Sequence, residues 1–130
     1  MFADTTFLVD FLRGNAKAET YMQSIESMQI FTSEINVFEL VTGVYMSDKD
    51  VRSHLEKITG LLAKMIVLPF DRRAALIAGK ISGRLTKEGT KIGDIDCLIA
   101  GVVIANGIKE IITANKVHFQ SIKELKVLTY

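Results

Sequence analysis

Two aspartates stand close together in Lys91-Ile92-Gly93-Asp94-Ile95-Asp96-Cys97-Leu98-Ile99-Ala100, and an apolar run carries on from there to Ala105. A glycine turn, two acids and then apolar residues read as a buried helix whose first turn is negatively charged. A further aspartate, Asp4, follows the first apolar residues of the chain. Carboxylates gathered at one place repel one another, so at least one must take up a proton or meet a cation. Oxygen ligands without histidine or thiolate favour Mg²⁺ or Mn²⁺ over zinc. A Mg²⁺ ion held by a few carboxylates keeps open positions that bind phosphate oxygens, and this points to phosphoryl chemistry.

Such a cluster needs elements that bring its members together. Met1–Ala3 reads as a very short strand, and Phe7, Leu8, Phe11 and Leu12 recur at helical spacing until Arg13-Gly14-Asn15. A second helix is expected over Ala16–Met28, and a strand over residues 29–32. Ser33 is expected to cap a helix from Glu34 to Tyr45, and Asp48 to cap another that reaches about Lys64. Met65–Leu68 reads as a strand closed by Pro69, and Asp71 opens a helix with Ala74, Ala75, Ala78, Ile81 and Leu85 inward. After the acidic helix, Asn106-Gly107 makes a turn and residues 110–113 form a strand. Residues 116–125 are a loop or short helix, and Lys126–Leu128 is a last strand. Short strands alternating with longer helices predict βαβ units, a parallel sheet and an α/β fold.

In such a sheet ligands bind along the rim formed by the carboxyl ends of the strands. Asp4 lies just past the first strand and Asn115 just past the fourth, while Asp94 and Asp96 begin a helix at the same rim. Glu39 lies roughly 9 Å down its own helix at 1.5 Å per residue, so its place at the rim is possible but unforced.

Bulk properties narrow the class. At 130 residues and 48% hydrophobic, with a single proline, the chain is long enough for one packed domain over 1–130. The lone Cys97 excludes a disulfide framework and a cysteine zinc site, which fits a reducing, cytoplasmic setting. No apolar segment approaches the roughly 18 residues of a membrane span, and no signal peptide is expected. Residues 1–56 hold 4 basic and 9 acidic residues, and residues 57–130 hold 12 and 6. This asymmetry suits a phosphate backbone on one side, although scattered solvated charge explains the count equally well.

Each candidate also has a plain structural reading. Asp4 could simply cap a helix, and acids in a first turn gain about 0.3–1 kcal/mol from the helix dipole without any ligand. Asp94 is the easier of its pair to explain as a cap, so Asp96 carries more of the functional reading. Glu39 sits on a helix that is apolar almost all round, and its pattern alone favours a surface glutamate. Asn115 reads as a turn residue, Asp10 as a solvated helix residue, and His118 as a partly buried or surface histidine.

Several motifs in order then match a known family. They are Asp4-Thr5-Thr6 with Phe11-Leu12-Arg13-Gly14, then Thr32-Ser33 leading to Glu39-Leu40 and Gly43, then Leu68-Pro69-Phe70-Asp71. Ile92 through Ala100 and Thr113-Ala114-Asn115-Lys116-Val117-His118-Phe119 complete the set. On these residues the chain resembles PIN-domain ribonucleases, specifically the VapC-type toxins of prokaryotic toxin–antitoxin pairs. The resemblance implies a three-layer α/β/α domain with a five-stranded parallel sheet in order 3-2-1-4-5. It also implies a Mg²⁺- or Mn²⁺-dependent endoribonuclease with catalytic acids at Asp4, Glu39 and Asp96.

In that reading Asp4 and Asp96 hold the metal, Asp94 is an additional acid, and Thr5, Thr113 and Asn115 support them. Asn115 stands where the family has a fourth acid and His118 where others have an aspartate, so the amide brings no charge to a second metal position. Arg13 and the basic residues of the second half would hold the RNA backbone. The family usually forms homodimers and is silenced by a VapB-like antitoxin. Three rivals remain: a degenerate PIN domain that only binds a partner, a receiver-like domain, and a phosphatase of the haloacid-dehalogenase kind. The phosphatase would want a second acid where Thr6 stands, and the receiver an acceptor aspartate where Pro69-Phe70 stands.

Overall fold

The computed structural model describes residues 1–47, 49–90 and 92–130. Five strands form one sheet: β1 (Phe2–Ala3), β2 (Phe31–Ser33), β3 (Ile66–Leu68), β4 (Glu110–Ile112) and β5 (Lys126–Leu128). Between them run α1 (Thr5–Leu12), α2 (Ala16–Ser24), α3 (Glu34–Ser47), α4 (Val51–Leu62), α5 (Arg72–Lys87), α6 (Asp94–Ala105) and α7 (Lys116–Phe119). All pairings are parallel, in the order β3-β2-β1-β4-β5. A receiver-like sheet has the order 2-1-3-4-5, so that alternative is excluded.

The sheet is buried on both faces, and its strands show why. Phe2 and Ile111 pack with Ile81, Leu85, Ile99, Val102 and Val103 of α5 and α6. Their neighbours Ala3 and Ile112 pack with Phe7, Leu8, Leu40, Val44, Ile58 and Leu61 of α1, α3 and α4. Successive strand residues alternate between faces, so each face has its own core and the domain has three layers. On the second face Tyr130 stacks edge-on against Phe7, with ring centroids 5.0 Å apart. Its hydroxyl donates to Asp10 at 2.7 Å, so Asp10 anchors the C-terminus and is not merely solvated.

Most element positions match the sequence reading; several ends do not. The second helix stops at Ser24 instead of Met28, because the Ile25 N–H turns back to Met22 and Gln23. Ser33 ends β2, yet it still serves α3, accepting the Asn36 N–H at 3.4 Å. Helix α3 runs on to Ser47, and although it is apolar almost all round, its Phe38 and Tyr45 are 60% exposed. The Asp48 cap lies outside the described residues. Asp71 caps α5 as expected, through the Ala74 N–H at 2.9 Å. Ala75 is exposed, one step round the helix from the buried Ala74, Ala78, Ile81 and Leu85. No helix among the described residues is long and apolar enough to cross a membrane.

Helices α5 and α6 approach closely because residue 101 is glycine. A β-carbon there would lie 2.4 Å from the Ala74 carbonyl oxygen and 2.8 Å from the Ala78 methyl. A backbone oxygen cannot step aside without moving its helix. Gly101→Ala is therefore expected to cost about 1–3 kcal/mol of unfolding free energy, as overpacked cores do, measured by urea denaturation. An unchanged midpoint would show that the two helices slide apart freely.

Candidate active site

Asp4 follows β1 at the head of α1, and its backbone N–H continues the sheet ladder to Ile112 at 3.0 Å. It occupies the N-cap position, but its carboxylate caps nothing. Instead Oδ2 accepts the hydroxyls of Thr113 at 2.8 Å and Thr6 at 2.9 Å, and Oδ1 accepts the Asn36 amide at 3.4 Å. The side-chain cap reading is thereby ruled out. Asp4 is only 4% exposed, so its carboxyl group is buried with its oxygens met by three side-chain donors.

The donors are themselves held. The Thr6 hydroxyl accepts the Ala114 N–H at 3.0 Å, and the Thr113 hydroxyl accepts the Asn115 N–H at 3.0 Å. Those backbone bonds hold both hydroxyl oxygens beside Asp4, 2.9 Å from each other. Asn115 thus supports the site through its backbone, and its side chain makes no hydrogen bond among the described residues.

A second chain of contacts reaches Glu39. Ser33 donates its hydroxyl to the Asn36 side-chain oxygen, and the Asn36 amide donates to Thr5 Oγ1 at 2.9 Å. Thr5 in turn donates to Glu39 Oε2. Asn36 is fully buried and touches both acids' supports, since the same amide also faces Asp4. Sequence reasoning overlooked Asn36 and Thr6. The available signal was helical spacing: Asn36 and Glu39 share a face of α3, and a polar residue in an otherwise apolar helix needs a partner.

Asp96 is the third residue of α6, and Gly93, not Asp94, is the N-cap. The expectation that Asp94 caps this helix is corrected on that point. Asp94 is exposed and lines a cleft with Ser82, Leu85, Thr90 and Cys97, toward α5. Asp96 turns the other way. Its Oδ2 lies 2.8 Å from His118 Nδ1, a contact that the sequence did not disclose.

The electrostatics tie three acids together. Burial pushes the Glu39 carboxyl above its ordinary range; the Thr5 hydrogen bond pulls it down, and the charges of Asp4 and Asp96 push it up again. Burial likewise raises Asp96, while His118 lowers it, Asp4 raises it, and a backbone hydrogen bond from Gly93 lowers it. Asp4, Glu39 and Asp96 therefore share one field, and Asp94 is not among the charges acting on the other two.

These shifts make a stability prediction whose sign follows directly. A folded-state pKa above the unfolded one means that the folded chain holds the proton more tightly. The stability due to that proton is complete below the ordinary carboxylate range and is lost as pH rises through the raised folded value. At neutral pH an ionised Glu39 is thus a burden on the fold. Glu39→Gln is expected to raise the thermal midpoint by a few degrees at about pH 7.5, and the gain should vanish near about pH 4. Thermal melts at the two pH values check it.

Among the described residues no three acid, histidine or cysteine side chains converge into a ready metal cage. What the site offers is an open set of hard oxygens that burial and mutual repulsion drive toward a proton or a cation. That donor set fits a Mg²⁺ or Mn²⁺ ion that keeps most of its water, and does not fit zinc.

Comparison with known proteins places the chain in a family. A family model for the PIN domain matches residues 1–125. A ribonuclease VapC from Rickettsia bellii is 30% identical over 131 residues, spanning 99% of this chain and 95% of the relative. A tRNA(fMet)-specific endonuclease VapC from Salmonella typhimurium is 28% identical over 104 residues, 80% of this chain and 77% of its own. The fold is shared with VapBC2 from Rickettsia felis bound to a promoter DNA fragment, at a TM-score of 0.89, 22% identity, and coverage of 99% and 97%. DNA-bound VapBC from Salmonella typhimurium aligns at 0.87 and 23% identity, with coverage of 98% and 96%. The chain belongs to the PIN-domain family, in its VapC branch.

Proposed function

We propose that this protein is a Mg²⁺- or Mn²⁺-dependent endoribonuclease that hydrolyses RNA phosphodiester bonds as the toxin of a VapBC-type pair. One observation carries the reading: the buried Asp4 carboxylate caps no helix and is oriented by Thr6, Thr113 and Asn36 beside Glu39 and Asp96. A fold with no use for Asp4's charge would have no reason to bury it among so many donors.

Asp4 and Asp96 would hold the metal, with Asp94 adding negative charge from the edge of the helix start. When bound, the ion supplies Lewis-acid polarisation of a phosphoryl oxygen and a water of lowered pKa. Thr6, Thr113 and Asn36 keep Asp4 in one orientation, so no reorganisation is needed when the substrate arrives. Glu39, its carboxyl pushed above the ordinary range by burial and steadied by Thr5, takes the proton of the attacking water or positions it. Arg13 and the basic residues of the second half would neutralise the RNA backbone. Because the three acids and their supports are intact, the binding-only alternative is the weaker reading.

The relatives named for tRNA(fMet) make initiator tRNA the first substrate to try. The related structures are of VapBC assemblies, so the partner proposed for this chain is a VapB-like antitoxin, with a homodimer as its own assembly, in the cytoplasm. The test is cleavage of tRNA and of unstructured RNA with Mg²⁺, with Mn²⁺ and with a chelator. Cleavage is expected only with the metals, and undiminished cleavage in chelator would overturn the mechanism. Expression is expected to arrest growth unless the cognate antitoxin is present, and Asp4→Asn should remove the arrest.

A further inference from the structure

His118 has no assigned role, and its surroundings give it one. It lies in the short helix α7, which is tied down by its neighbour Phe119. Phe119 is fully buried in the core with Ile122. This anchoring delivers the imidazole to Asp96, where Nδ1 stands 2.8 Å from Oδ2. The same oxygen is backed by the start of α6, since a β-carbon at Gly93 would lie only 3.0 Å from it. Oδ2 is therefore confined between an imidazole and a glycine too small to displace it. The Asp96 side chain is 16% exposed while that of His118 is 45% exposed, so the acid is the more buried of the pair.

We infer that His118 is a positioning residue for Asp96, fixing its carboxylate in one rotation so that it can take part in binding a hard divalent cation. The inference rests on the metal-dependent reading above. Without the imidazole the Asp96 carboxylate would keep only its backbone hydrogen bond from Gly93 and could still turn about its side-chain bonds, and a cation that binds it must pay for the loss of that freedom. It is Nδ1 that faces the carboxylate, which leaves Nε2 free of this contact. Partners that orient a ligating group in this way change metal affinity by about 10- to 100-fold when removed.

Mn²⁺ titration of the full chain without RNA, followed by the loss of the free-ion electron paramagnetic resonance signal, tests this. His118→Ala is expected to weaken Mn²⁺ binding by about 10-fold or more. His118→Asn should restore affinity to within about threefold of the native chain, because its amide nitrogen is bonded to Cγ just as Nδ1 is. His118→Gln carries its nitrogen one bond further out, where Nε2 stands, and should not restore it. The metal-free thermal midpoint should fall by no more than a few degrees in His118→Ala, since the ring is close to half exposed and its stabilising effect on the ionised acid is screened, so all three variants stay folded for the titration. Equal Mn²⁺ affinity in His118→Ala and the native chain would overturn the inference while leaving the metal reading intact. So would a folded His118→Asn that binds as weakly as His118→Ala. A native chain that binds no Mn²⁺ would overturn both.

Discussion

Asp96→Asn is expected to abolish RNA cleavage while leaving a folded and more stable protein. Loss of a metal-site carboxylate removes several kcal/mol of transition-state stabilisation, which at about 1.4 kcal/mol per tenfold means at least about a 1,000-fold fall in rate. Stability should move the other way. Burial holds the Asp96 carboxyl above its ordinary range, so the ionised group weighs against the fold at neutral pH and an amide does not. The amide oxygen can still accept from His118. Cleavage assays and thermal melts on the same preparation separate the outcomes, and loss of both activity and stability would mean that the acid is structural. Asp4→Asn should inactivate equally but destabilise, since Oδ2 accepts two hydroxyls and Oδ1 an amide, and one of these must then face an N–H. Opposite stability changes at two equally inactive positions would be hard to produce in any other way.

That contrast also marks what was legible in the sequence. Asp4 and Asp96 could be brought together from topology alone, because strand ends and the helix starts that follow them share one rim. Glu39 could not. Its helix is apolar almost all round, and only the resemblance placed it at the site; the structure explains it through Thr5, which sits 34 residues away in sequence. Thr6 and Asn36 stayed hidden for a related reason. A threonine at a helix start reads as a capping residue, and an asparagine inside a helix reads as a tolerated polar residue, until the burial of its amide is known.

His118 depended on still less local information. Its contact with Asp96 requires α7 to be placed by Phe119 and Ile122 against the core, and a four-residue helix has no periodicity from which to infer a face. The acid pair at the head of α6 was misassigned in part for a simpler reason. Gly93 can itself be the N-cap, so Asp94 was not needed there, and the acid at the third position reaches back toward the helix start. The fold was readable because its signals are long and periodic. The supports of the site were not, because each is one hydrogen bond between residues far apart in the chain.

Asn36 is where those supports meet, and its replacement should have a large effect on stability. Asn36→Ala removes the acceptor of the Ser33 hydroxyl, the donor to Thr5 and the donor to Asp4 Oδ1 in one step. Buried polar groups left unpaired cost about 1–3 kcal/mol each, and more when charged, so a total of about 3–5 kcal/mol is expected once the pocket relaxes or admits water. For a domain of this size that lowers the thermal midpoint by more than about 10 °C. Activity per folded molecule should also fall, because Asp4 and Thr5 lose the group that joins them. Asn36→Asp makes a sharper comparison. Its new carboxylate would face Asp4 in a buried site, so its folded pKa must lie above the unfolded value, and the stability it retains in acid is lost as pH rises. Asn36→Asp should therefore approach the native midpoint near about pH 4 and fall well below it at about pH 7.5, whereas Asn36→Ala should be deficient at both. If the two variants instead melt together at every pH, the amide fills space and does not link the acids.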